Sequence, residues 1–291
     1  MDHEFVLVDV FTEQPFGGNQ LAVFPDARGL SDVDMQARAR EFNFAESTFV
    51  LPARGPENAA WVRIFTPRFE IPFAGHPTVG TAAVLAARGA IDGSAVFELG
   101  VGPVAVHVEQ RGDLPYSRLT LRRGAESPAV TPDPAALAAT LSLSTVDVID
   151  GFYATAGLPF CFAHLRDADA VDRAVFNQPA WGEHLAAGWS PDIYLFAGDP
   201  EPGAKVYARM FAPSSGVSED AATGSASAAL VGTLAHRWDG PDGSYPLTIT
   251  QGVHMGRPSR IEAEATKSAG TVHTITVGGT SVIVGGGHIR G

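Results

Sequence analysis

Three polar clusters interrupt otherwise apolar surroundings: Glu46 in FNFAESTFV, His76 in FAGHPTVG, and Glu219 with Asp220 in SEDAATGSA. A carboxylate partly withdrawn from water, or set near a second carboxylate, has its neutral form favoured. It can then give and take a proton near neutral pH. Glu46 fits that role, and equally fits a capping or surface carboxylate at the end of the helix before it. His76 stands between Gly75 and Pro77, which restrict its backbone and aim its ring; a hydrogen-bonded turn or core histidine has the same look. Asp220 suits either a catalytic part or a cap for the segment that follows. Ser225 reads as a substrate-binding hydroxyl or as a small first-turn serine. If a helix starts here, the amides of Gly224 and Ser225 are placed to receive an anion such as a carboxylate.

The elements that must position these groups are unusual. No charged side chain occurs from Thr78 to Ala87 or from Ala221 to Ala235. Such helices are compatible with burial on every side, and their Ala, Gly, Ser and Thr content lets strands approach closely. Each is therefore expected inside a curved sheet. The chain also repeats: an offset of 146 lays Arg63, Phe65, Pro67 and Ala83 over Arg209, Phe211, Pro213 and Ala229 without a gap. Each copy has a short strand, a loop and an uncharged helix, so a duplicated two-domain architecture is expected. If the halves face each other about an approximate twofold axis, the two helix starts meet across an interdomain cleft and His76 neighbours Asp220.

Further strands are expected at 5–11, 21–24, 48–51, 61–65, 95–99 and 104–108, with a helix over 31–42 capped by Ser or Asp. The second half offers a short helix at 134–141 and strands at 160–163, 193–196, 205–211, 247–250, 260–265, 272–277 and 281–284. The polar, proline-rich RRGAESPAVTPDP places the boundary near residue 125, giving domains 1–125 and 126–291, with room for a terminal strand that returns to the first domain.

Composition narrows the function. The 291 residues are 45% apolar, enough for a substantial core, and Asp plus Glu outnumber Lys plus Arg by 32 to 20. No stretch concentrates basic residues, so nucleic acid is a poor partner. No stretch approaches the length of a membrane span, and the start lacks a basic leader, so a cytoplasmic location is expected without a membrane partner. The single cysteine, Cys161 in LPFCFAHL, reads as a packing residue and rules out an intrachain disulfide. There is no CxxC or HExxH and no histidine array for a metal. GWSPD is no nucleophile elbow, and the glycines of FGGN and VIVGGGHIRG do not form the GxGxxG that opens a dinucleotide-binding helix. One cysteine excludes a two-thiol racemase unless carboxylates replace the thiols.

The five fragments DVFTEQPFGGNQLAVF (9–24), FNFAESTFV (42–50), RIFTPRFEIPFAGHPTVGTA (63–82), EDAATGSA (219–226) and QGVHMGRPS (251–259), in this order over nearly the whole chain, resemble the phenazine-biosynthesis PhzF-like isomerase family. The resemblance implies an α+β, diaminopimelate-epimerase-like duplicated fold, each half a curved or barrel-like, mainly antiparallel sheet around a central helix. It implies that Glu46 is the principal acid/base, that His76 and Asp220 orient the substrate and tune that carboxylate, and that Gly75, Gly224 and Ser225 hold a substrate carboxylate. Asn19, in the FGGN loop, helps shape the cleft. In epimerase relatives, thiols stand at the positions of Ala74 and Asp220. Gln20, and Ala221 with Ala222, depart from the family's frequent prolines.

The expected function is a cofactor-independent isomerase of a small carboxylate, moving a proton between carbons, in a homodimer by family resemblance. An amino-acid epimerase or racemase using carboxylates, and a non-catalytic small-metabolite-binding protein, are the alternatives.

Overall fold

Burial alternates along β1 (Asp2–Val10), where Val6, Val8 and Val10 are buried. The computed structural model describes residues 2–290 and divides into two compact units, residues 2–121 with 277–290, and residues 122–276.

In the first unit β1 is followed by β2 (Asn19–Phe24), α1 (Asp32–Phe42), β3 (Glu46–Leu51), β4 (Ala60–Phe65), β5 (Glu70–Ile71), α2 (Gly75–Ala87), β6 (Ser94–Leu99), β7 (Gly102–Arg111) and β8 (Leu114–Leu121). Every residue of α2 from Gly75 to Leu85 is buried, as its lack of charge requires. A Cβ on Gly80 would come within 2.6 Å of Val10 Cγ2 and 2.7 Å of Leu21 Cδ2, so the helix lies hard against β1 and β2. On the other face, Phe24, Phe49 and Phe65 pack with Met35 and Ala39 of α1. That helix opens on Ser31, whose hydroxyl accepts from the Asp34 amide while the Asp34 carboxylate accepts from the Ser31 amide.

The second unit holds α3 (Pro134–Thr140), β9 (Val148–Thr155), β10 (Pro159–Leu165), α4 (Ala168–Arg173), α5 (Gln178–His184), β11 (Ile193–Ala197), β12 (Lys205–Ala212), β13 (Val217–Asp220), α6 (Gly224–Arg237), β14 (Gly243–Gln251) and β15 (Ser259–Ser268). Residues Gly224 to Ala235 of α6 are all buried. Cys161 is fully buried in β10, and burial pushes its thiol pKa up.

Strand pairing repeats from unit to unit. In the first, β1–β2 is antiparallel, β2–β3 parallel, β3–β4 antiparallel, β4–β6 parallel and β6–β7 antiparallel. In the second, β9–β10, β10–β11, β11–β12, β12–β14 and β14–β15 follow the same sequence of directions. The last strand, β16 (Thr271–Arg290), is hydrogen-bonded to β15 and β8, and residues 281–290 pair antiparallel with β1. The first unit's strand order thus closes on itself around α2.

Three sequence expectations need correction. Residues 272–277 and 281–284 belong to one strand of 20 residues. His76 lies inside the first turn of α2 rather than before the helix, and the second uncharged helix begins at Gly224, three residues later than its lack of charge suggests.

Candidate active site

Asn19, Glu46, Gly75 and His76 come together in the first unit. Asn19 opens β2, and Gly18 before it has φ +62°; a Cβ there would sit 2.3 Å from the Val10 carbonyl oxygen, so only glycine fits. The loop leading in is pinned by the buried Asp9, whose carboxylate accepts from the Phe16 amide at 2.7 Å. Glu46 opens β3 beside Leu21 of β2. Gly75 and His76 begin α2 after Ala74, which offers no side-chain cap. Pro77 is accommodated because first-turn amides have no intrahelical partner to lose.

Asn19 Nδ2 lies 3.2 Å from His76 Nδ1. His76 Nε2 lies 3.5 Å from Glu46 Oε2. Burial drives the His76 pKa down to about 3, partly offset by a backbone hydrogen bond with Gln20. The imidazole is therefore neutral across the physiological range. The Glu46 side chain retains 18% exposure, against 4% for His76. The Glu46 carboxyl thus faces an uncharged, buried ring.

Asp220, Gly224 and Ser225 come together in the second unit. Asp220 ends β13, pairing with Met210 of β12, and Gly224 and Ser225 form the buried start of α6. The N-cap of that helix is Thr223, so Asp220 is not its cap; the Asp220 carboxylate instead accepts from the Thr223 hydroxyl at 2.6 Å. No acidic residue stands in the first turn of either α2 or α6, which leaves the positive ends of both helices uncountered by their own side chains.

Glu219 and Asp220 form one cluster in sequence but serve different ends. Glu219 is engaged by Arg209 through two hydrogen bonds, at 2.8 and 2.9 Å, and Arg209 also donates to the carbonyls of Val171 and Ala174. It holds α4 to the sheet. Sequence reasoning missed Thr223 and Gln251, which hydrogen-bond Asp220, and Ser259, which donates to the neighbouring Ala221 carbonyl. The available signal was the fragment QGVHMGRPS, conspicuous in the resemblance yet without a part. Among the described residues no group of His, Cys, Asp and Glu is placed to hold a metal, and no helix is long and apolar enough to cross a membrane.

The family described as phenazine biosynthesis-like protein matches residues 8–287. The chain belongs to that family. A relative from Mesorhizobium japonicum, described as an uncharacterized isomerase, is 38% identical over 98% of each chain. The trans-2,3-dihydro-3-hydroxyanthranilate isomerase of Pseudomonas fluorescens is 36% identical over 99% of each. A solved phenazine biosynthesis protein of the PhzF family from Bacillus anthracis matches with TM-score 0.88 over 100% of this chain and 99% of its own, at 23% identity, which speaks for the fold alone. The fold is the duplicated, mixed α+β, diaminopimelate-epimerase-like arrangement.

Proposed function

We propose that the protein is an isomerase of a small carboxylate, in which Glu46 moves a proton between two carbons of one substrate without a cofactor. The Glu46 carboxylate takes a proton from carbon beside an activated bond, the electron pair shifts along the substrate, and the protonated carboxyl returns the same proton to another carbon. Glu46 ends as it began, and no atom is gained or lost. His76 and Asn19 orient that carboxyl, Gly75 shapes the turn beside it, and Asp220 with the amides of Gly224 and Ser225 receives the substrate's polar groups.

The observation that carries this reading is a partly exposed Glu46 carboxylate 3.5 Å from the Nε2 of a neutral, buried His76. Isomerases among relatives at 36–38% identity support the reaction class.

Because one relative is named for trans-2,3-dihydro-3-hydroxyanthranilate, that compound is the first substrate to try, followed by a panel of small carboxylates in heavy water. Glu46→Gln keeps shape and removes the proton carrier. Turnover should fall by at least about 100-fold, the lower end of what a general acid/base contributes; unchanged turnover would reject the role. The homodimer implied by family resemblance is part of the same proposal, and a solution mass equal to one chain would remove it.

A further inference from the structure

We propose that Thr223 and Gln251 are positioning residues that hold the Asp220 carboxylate by its Oδ2, through a hydrogen-bond relay with only one allowed direction. This rests on the proposed function for its kinetic consequence, not for the relay itself.

The direction follows from donors and acceptors. The Thr223 backbone N–H can only donate, and at 3.1 Å it donates to Gln251 Oε1, which settles the orientation of that amide. The Gln251 Nε2 then has two protons. One goes to the Asp220 backbone carbonyl at 2.8 Å and the other to Thr223 Oγ1 at 3.0 Å. Having accepted there, the Thr223 hydroxyl directs its single proton to Asp220 Oδ2 at 2.6 Å. Oδ2 is therefore an acceptor, held by the Thr223 hydroxyl.

Gln251 is fully buried, and the fragment around it holds the same loop by other means. Ser259 Oγ donates to the Ala221 carbonyl at 2.9 Å. Gly252 has φ +74°, and a Cβ on it would lie 2.4 Å from the Arg257 carbonyl oxygen and 2.5 Å from that of Ala221. QGVHMGRPS is thus the clamp on the Asp220 loop.

The test compares Thr223→Val, which keeps shape without the hydroxyl, with Thr223→Ser, which keeps the hydroxyl. Gln251→Glu is near-isosteric, but a carboxylate there accepts the Thr223 proton and turns the hydroxyl away from Asp220. The substrate-free readout is the carboxyl carbon-13 resonance of Asp220, identified as the signal lost in Asp220→Asn. It should move in Thr223→Val and Gln251→Glu and stay in Thr223→Ser. The kinetic readout, with trans-2,3-dihydro-3-hydroxyanthranilate, is a kcat reduced roughly tenfold or more in Thr223→Val with KM changed by less than about threefold, and a double variant no worse than the poorer single. A resonance unmoved by Thr223→Val, or moved equally by Thr223→Ser, overturns the relay. If the resonance moves as expected while Asp220→Asn turns over normally, the relay stands and the functional reading of Asp220 falls. Thermal midpoints check that each variant folds, and the Val/Ser pair decides if Gln251→Glu does not.

Discussion

A buried neutral histidine leaves a thermodynamic signature. An exposed histidine titrates near 6.5, whereas burial holds the folded-state pKa of His76 down at about 3. Between those values the unfolded chain binds a proton that the folded chain refuses, so stability falls as pH drops through the window and is insensitive to this group above it. Urea unfolding from pH 7 to 4 should show wild type losing a few kcal/mol more than His76→Asn. Parallel curves would mean the ring is protonated in the folded state. Glu46, His76 and Asp220 stood out as candidates because polar groups interrupted apolar neighbours. Thr223 and Gln251 did not: a buried hydroxyl and amide look like ordinary turn and strand residues until a contact spanning 28 positions gives them a direction.

Elements succeed or fail by how closely they approach. Replacing Gly80 by Val would drive a side chain into Val10 and Leu21, and the overpacking should cost about 1–3 kcal/mol. A lowered urea midpoint at unchanged slope would record it, and an unaltered midpoint would show that α2 has room to shift. The burial of α2 was readable from its missing charges, but its first turn was not, since a glycine, a histidine and a proline in succession look like a loop. The long last strand was hidden by its glycines. Two of them sit where backbone meets backbone: a Cβ on Gly278 would lie 2.8 Å from the Ser117 carbonyl oxygen, and one on Gly286 equally close to that of Phe5.

At the scale of the molecule, the repeat was visible as Arg63 over Arg209, and each arginine is committed to carboxylates in its own unit, Arg63 to Asp32 and Glu70 and Arg209 to Glu219. Their recurrence marks a shared way of bracing the central strand. The sequence left room for a terminal strand returning to the first domain, but not its register, because pairing 281–290 with 2–10 joins residues far apart in the chain and leaves no local pattern. Removing residues 281–291 should leave β1 paired on one edge only, with β2, and make peptide bonds within residues 2–121 markedly more sensitive to protease. Unchanged resistance would show that β16 is dispensable there.

That same strand sets a timetable for synthesis. The first-unit strands leave the ribosome early, yet β1 and β8 both depend on residues translated after the whole second unit. Until β16 emerges, the nascent chain carries two bare strand edges, the kind of surface that invites mispairing with other chains. The protein is committed to finishing its first half only when it has finished its second, and chaperone demand should peak in that interval.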